Sequence, residues 1–309
     1  MRAMDDRGHL ATECRNPRSM TFDRLSIEEA VTLMNSEDVG VAPAVGACRA
    51  EIVRAIALVE SAFRAGGRLL YVGAGTSGRL GVLDAAECPP TFLSDPVMVQ
   101  GIIAGGRAAM FHSVEGAEDS FDGGVAALAS CGVARHDVVF GIATGGTTPF
   151  VHGAIRAGLD VGASTVFLAC VPTSQVPDEA DVSIRVLTGP EVLTGSTRLK
   201  AGTATKMVLN MVSTIAMVRC GKVYENLMVD VNAGVNRKLT DRGIRILMAV
   251  TGGARETCAA VLKAANGHVK TALVSSMLGV GVEEASRLLE ASCGRLSSIV
   301  DDEAARNQG

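Results

Sequence analysis

The 309-residue sequence predicts an α/β protein: a mostly parallel five-stranded sheet flanked by helices in three layers, followed by a small helical C-terminal subdomain. Three observations carry this reading. Five short apolar, β-rich runs, residues 69–72, 98–103, 138–142, 165–171 and 182–187, are each closed by glycine or proline. These runs are continuously apolar rather than alternating, which suits strands covered on both faces. Helix-length segments such as residues 149–157 lie between most of them, and strand and helix in turn imply a parallel sheet.

Taken in order, residues 1–20 are polar, end in Cys14-Arg15-Asn16-Pro17-Arg18-Ser19, and read as an arm rather than a core element. Apolar residues then recur at helical spacing from Ser26 through Leu33 and from Val45 to Phe63, giving two amphipathic helices that stop at Gly66-Gly67. The five strands follow in residues 69–187. A long helix is expected over residues 201–220, ending near Gly221-Lys222. After Lys238 the strand signals stop, and residues 241–250, 254–265, 269–277 and 282–291 read as short helices. The expected organisation is therefore an arm (1–20), an α/β domain (21–238), a helical subdomain (239–300) and a tail (301–309).

Composition excludes several functional classes. At 48% hydrophobic and 20% charged residues, the chain has enough apolar surface to bury a core. No run of ~18 apolar residues reads as a membrane span. The first 25 residues mix charges throughout and lack the apolar stretch of a secretory signal. A formal charge of −4, with 2 Tyr, 8 Phe and no Trp, argues against a nucleic-acid surface. The eight cysteines are scattered without a CxxC pair and read as buried small hydrophobes in a reducing cytoplasm. Histidines 9, 112, 136, 152 and 268 form no ligand spacing, and no GxSxG elbow is present, so neither a metal nor serine-hydrolase chemistry is expected.

The glycines point to a ligand. Val72-Gly73-Ala74-Gly75-Thr76-Ser77-Gly78-Arg79 places a glycine turn between a strand and a helix, where backbone amides and a helix N-terminus suit an anion. Gly73, Gly75 and Gly78 also fit the dinucleotide pattern GxGxxG, but the second strand ends in Ala104-Gly105-Gly106 without the carboxylate that would hold a ribose. Thr76 and Ser77 suit a small phosphomonoester better than a pyrophosphate. A second hydroxyl-rich stretch, Thr188 to Lys200, contains Ser196 and Thr197, which also suit capping of the long helix. Lys200 and Lys206 lie near the start of that helix, where its dipole disfavours cations, and this suggests an anionic ligand nearby. A third loop, Ala143-Thr144-Gly145-Gly146-Thr147-Thr148-Pro149, has the same character. Three such loops at the carboxyl ends of parallel strands would share one crevice.

Two acidic positions complete the candidates. Pro89-Pro90 is expected to end the helix begun near Gly78, leaving Glu87 near a C-terminus whose dipole opposes negative charge. The stretch Glu115-Gly116-Ala117-Glu118-Asp119 follows the second strand. It reads either as a solvated face or as the source of a partner for Glu87 in acid–base chemistry, and spacing does not choose among Glu115, Glu118 and Asp119.

At these residues the chain resembles the N-acetylmuramic acid 6-phosphate etherases. The resemblance runs through Arg15-Asn16-Pro17, residues 72–81, Glu87-Cys88-Pro89-Pro90-Thr91, residues 114–119, residues 194–198, Lys200-Ala201-Gly202-Thr203-Ala204 and Asn226-Leu227-Met228-Val229-Asp230-Val231, in order over nearly the whole chain. It implies a sugar isomerase (SIS) domain with a UBA-like helical tail, in a cytoplasmic homodimer that uses no cofactor or metal and recycles cell-wall amino sugar. The implied enzyme is a carbon–oxygen lyase that removes D-lactate from N-acetylmuramic acid 6-phosphate and leaves N-acetylglucosamine 6-phosphate. By that resemblance Glu87 is the general acid and Glu118 the other catalytic carboxylate. Gly75, Thr76, Ser77, Gly78, Thr144, Thr147, Thr148, Ser196, Thr197 and Lys200 would hold the phosphosugar. Two places depart from the family pattern. Gly145 and Thr147 stand where relatives carry serine and arginine, and residues 232–237 look one residue longer and more basic. A non-catalytic phosphosugar-binding regulator and an aldose–ketose isomerase on the same fold are the alternative readings.

Overall fold

The computed structural model describes residues 7–300 except 232, 235 and 293. The expected tail (301–309), Cys293, the first residues of the arm and part of the stretch 232–237 lie outside the described residues. The chain divides into two compact units, Met1–Ala86 with Pro96–Thr214, and Glu87–Asp95 with Ile215–Gly309. The division falls within two helices rather than at the expected boundary of 238/239.

In the first unit, α1 (Ile27–Asp38), α2 (Val41–Ala47) and α3 (Arg49–Arg64) precede the sheet. Ser26 starts α1 with a capping box: its hydroxyl accepts the Glu29 N–H while the Glu29 carboxylate accepts the Ser26 N–H. The second expected helix is thus two, broken at Cys48, which terminates α2 and precedes α3. Then follow β1 (Leu69–Gly73), α4 (Gly75–Phe92), β2 (Val99–Ile103), α5 (Phe121–Ser130), β3 (Val138–Ile142), α6 (Pro149–Asp160), β4 (Ser164–Ala169), β5 (Val182–Arg185) and α7 (Lys200–Arg219). All five strands are parallel in the order β2-β1-β3-β4-β5, with Leu69 in register with both Val99 and Val138.

Alternate side chains of the central strands serve opposite layers. Leu70, Val72, Val139 and Phe167 join Leu128 of α5 and Val151, Ala154 and Ile155 of α6 in one core. On α3, Ile52, Ala55, Val59 and Phe63 are buried, and this helix packs against β1, β3 and β5. Every residue of β1 and β3 is buried, which is why their sequences do not alternate.

Residues 7–16 are more than an arm. Leu10 is 1% exposed and joins the same core as Val72 and Phe150. Gln175 clasps the segment from both sides: its Oε1 accepts the Ala11 N–H and its Nε2 donates to the His9 carbonyl, both at 3.0 Å. The Asn16 side chain donates to Glu37 at 2.8 Å and to the Pro190 carbonyl at 3.3 Å.

In the second unit, β6 (Val223–Tyr224) and β7 (Leu227–Met228) form an antiparallel pair, followed by α8 (Arg237–Thr251), α9 (Arg255–Ala264), α10 (Val269–Leu278) and α11 (Val282–Ala291). Val229 and Val231 are buried with Leu247, Val269, Leu273 and Leu289, so the stretch after α7 shares the helical core. This packing moves the division upstream of 238. Asp230 receives both Lys222 (3.0 Å) and Lys270 (2.8 Å).

The expectation that Pro89-Pro90 ends a helix is corrected: both prolines lie inside α4, which runs on to Phe92. A proline's fixed φ is helical, so the pair removes two donors without preventing the helical path. The turn closes through the Leu93 N–H, which donates to the Pro89 carbonyl at 2.9 Å, with Leu93 itself at φ 48°. The cysteines also vary in burial: Cys48, Cys88, Cys170 and Cys258 are buried, Cys131 and Cys220 are half-buried and Cys14 is exposed.

Candidate active site

The strand order reverses direction between β1 and β3, since β2 lies outside β1 on one side while β4 and β5 extend beyond β3 on the other. In an open parallel sheet this switch point leaves a crevice at the carboxyl ends of the strands. A cavity of about 270 Å³ lies in the first unit, lined by residues from the loops that follow β1, β2 and β3.

The loop after β1 delivers Gly75, Thr76 and Ser77 at the N-terminus of α4. This tight turn requires glycine at two places. A Cβ on Gly73 would stand 2.6 Å from the Gly78 nitrogen, and one on Gly78 would stand 2.6 Å from Cγ1 of Ile103. Gly78 therefore packs α4 against the sheet and does not line the cavity. The loop after β3 delivers Thr144, Thr147 and Thr148, with Thr148 at the N-cap of α6 and Pro149 in its first turn. His152 Nε2 lies 2.7 Å from the Gly146 carbonyl oxygen and fixes this loop from behind, its ring against Phe167. Two helix N-termini and five hydroxyls thus border one space, an arrangement suited to a phosphate group.

The third loop brings the acids. Glu118 and Asp119 lie on a short 3-10 turn (Ala117–Asp119) and both line the cavity, while Glu115 lines only a neighbouring recess of about 160 Å³ that shares Gly75 and Glu118. The reading of this stretch as a solvated face is half correct: Glu115, Glu118 and Asp119 are all exposed. Glu87 is exposed on α4 and belongs to the second compact unit. The cavity also takes Arg7, Leu10 and Glu13 from the N-terminal segment, residues that the sequence reading left out because the segment is polar overall.

Of the third group of candidates, only Thr197 lines the cavity; Ser196 does not. Neither hydroxyl caps α7. The Glu191 carboxylate does so, accepting the N–H groups of Lys200 (3.1 Å) and Ala201 (2.9 Å). The inference of an anionic ligand from the two lysines is corrected as well. Lys200 Nζ lies 2.6 Å from Glu37, with both side chains buried, and Lys206 Nζ lies 3.1 Å from Asp84, which also accepts the Tyr71 hydroxyl. Protein carboxylates offset these cations at the dipole's positive end. Among the described residues, no group of three or more His, Cys, Asp or Glu side chains is placed to hold a metal.

The family described as the glucokinase regulatory protein N-terminal SIS domain matches residues 51–159. A protein of Nostoc punctiforme named N-acetylmuramic acid 6-phosphate etherase is 52% identical over 308 residues, covering 100% of both chains. One of the same name from Synechococcus elongatus is 55% identical over 298 residues, covering 96% of this chain and 97% of its own. Among solved structures, a phosphoheptose isomerase from Neisseria gonorrhoeae is 16% identical with a TM-score of 0.46, covering 62% of this chain and 98% of that one. With half of all residues identical from end to end, the chain belongs to the N-acetylmuramic acid 6-phosphate etherase family.

Proposed function

We propose that the protein cleaves the D-lactyl ether of N-acetylmuramic acid 6-phosphate, releasing D-lactate and leaving N-acetylglucosamine 6-phosphate. The observation that carries this reading is the end-to-end similarity to relatives named for that activity. The cavity supports it with the two features the chemistry needs, a phosphate-sized set of amides and hydroxyls and a carboxylate beside it.

The ether oxygen sits on C3, and the proton on C2 is acidic only when C1 is an open-chain aldehyde. Glu118 takes the C2 proton as general base. The C–H electrons form the C2=C3 double bond as the C3–O bond breaks and an acid protonates the departing lactate oxygen, the role that the family resemblance gives to Glu87. Water then adds across the double bond, its oxygen at C3 and a proton at C2. The sugar phosphate would sit against Gly75, Thr76, Ser77, Thr144, Thr147, Thr148 and Thr197, all lining residues.

We read the enzyme as cytoplasmic and as serving cell-wall recycling. Among the described residues, no helix is long and apolar enough to cross a membrane. We also read it as a homodimer: α1 has no buried residue, and Ile27 (87%) and Val31 (62%) lie exposed one turn apart on it. Contiguous exposed apolar patches mark protein–protein interfaces.

The test is D-lactate release from N-acetylmuramic acid 6-phosphate in deuterated water. Release with deuterium at C2 of the product is expected; release without label means direct hydrolysis, and no release removes the etherase reading. A second reading, a phosphosugar-binding regulator without catalysis, rests on the regulatory-protein SIS match over residues 51–159 and would be left standing by that last outcome.

A further inference from the structure

We propose that Arg7 is a specificity-determining residue that binds the lactyl carboxylate of the substrate, presented by the N-terminal segment clasped over the cavity. The inference rests on the etherase reading. The substrate carries two anionic groups, a phosphate and a carboxylate. The N-termini of α4 and α6, with Thr76, Ser77, Thr147 and Thr148, supply amides and hydroxyls for one of them, and a phosphate is the group such a cradle suits.

The carboxylate then needs its own partner, in a cavity that already holds Glu13, Glu118 and Asp119. Among the described residues that line it, Arg7 is the only cation. Lys200 and Lys206 are engaged by Glu37 and Asp84, and Arg79, which lines the adjoining recess, donates to the Met110 and His112 carbonyls. Thr147 offers a hydroxyl but no charge. A guanidinium matches a carboxylate by two parallel N–H donors, which makes it selective for a planar anion over a neutral hydroxyl.

The segment holds Arg7 in place. Three residues on, Leu10 is buried in the core, and its N–H donates to the Arg7 carbonyl at 3.0 Å; beyond it, Gln175 bonds His9 and Ala11. The Arg7 backbone is thus tied to an anchored turn while its side chain stays exposed at the cavity.

The experiment compares substrate with product, because the two sugar phosphates differ only in the lactyl group. For Arg7→Met, KM for N-acetylmuramic acid 6-phosphate should rise roughly 10- to 100-fold, the scale of losing a charge-assisted pair. The inhibition constant of N-acetylglucosamine 6-phosphate should change less than about 3-fold, and free D-lactate should cease to inhibit. Arg7→Lys should recover part of the loss. An equal loss for both sugar phosphates would make Arg7 a phosphate ligand, and no change in either would make it a bystander; both overturn the proposal. Failure of the wild-type protein to release lactate would instead overturn the reading beneath it.

Discussion

The Glu191 carboxylate accepts the Ala201 N–H at 2.9 Å and, with its other oxygen, the Lys200 N–H at 3.1 Å, so α7 begins on an internal anion. Glu191 is fully buried, and burial pushes its carboxyl above the usual range although the two amides oppose the shift. Glu191→Ala therefore removes a helix cap and strands two amides. A loss of about 3 kcal/mol in urea unfolding is expected, against less than about 0.5 kcal/mol for Ser196→Ala. Equal losses for the two variants would show that the hydroxyl stretch, not Glu191, caps the helix.

The central strands β1, β3 and β4 were legible because they are buried on both faces and so read as nearly unbroken apolar runs, while the edge strands β2 and β5 are only part-buried and carry Gln100, Ser183 and Arg185. The loops were legible because glycine and threonine cluster where β1 and β3 end. Other features were hidden for physical reasons. Glu191 lies nine residues before the helix it caps, and no local pattern links a carboxylate to amides across an intervening turn. Leu10 is the one large apolar side chain in a polar segment, so composition hid both its burial and the approach of Arg7 to the cavity. The lysines misled because charge against a dipole says only that some anion is near, and here the anions are Glu37 and Asp84. The β6–β7 pair, two residues a strand, is too short for any periodicity.

Glu118 and its neighbours separate by position. Glu118 borders both the main cavity and the adjoining recess, whereas Glu115 reaches only the recess. If Glu118 is the C2 base, Glu118→Gln should lower kcat by 10²- to 10⁴-fold, the usual contribution of general base catalysis. Exchange of the C2 proton with deuterated solvent should be lost in parallel. Glu115→Gln should stay within about 3-fold of wild type. A Glu118→Gln enzyme that still exchanges C2 would assign the base elsewhere.

Acid should loosen the clasp around Lys200. Burial works against the charged form of Glu37, but hydrogen bonds from Lys200 and Asn16 and the charges of Lys200 and Arg18 outweigh it and hold the carboxyl below its usual value. A carboxyl whose folded value is depressed contributes stability above its unfolded value, ~4.3, and loses it as pH falls through the folded value. Wild type should therefore lose melting temperature more steeply than Glu37→Gln between about pH 4.5 and pH 3. At pH 7 the variant should be the less stable, because its Lys200 is left buried without a counter-charge. Parallel melting curves over that acid range would exclude this role.

The contact between His152 and Gly146 predicts a division between binding and stability. His152 Nε2 holds the Gly146 carbonyl at 2.7 Å, and Gly146 has φ 80°, so the carbonyl's direction fixes how Thr147 and Thr148 face the cavity. Replacing His152 with Leu should cost about 1 kcal/mol in stability, the net worth of one such hydrogen bond. The same change lets the loop turn, so KM for the sugar phosphate should rise roughly 10-fold with kcat altered far less, because the acids lie on other elements. Phe167→Leu supplies the control: it removes the ring tilted against His152 and leaves a partly filled core, costing about 1–2 kcal/mol, while the His152–Gly146 bond remains. If both variants raise KM equally, the loop responds to core packing in general; a rise confined to His152→Leu assigns the effect to the hydrogen bond.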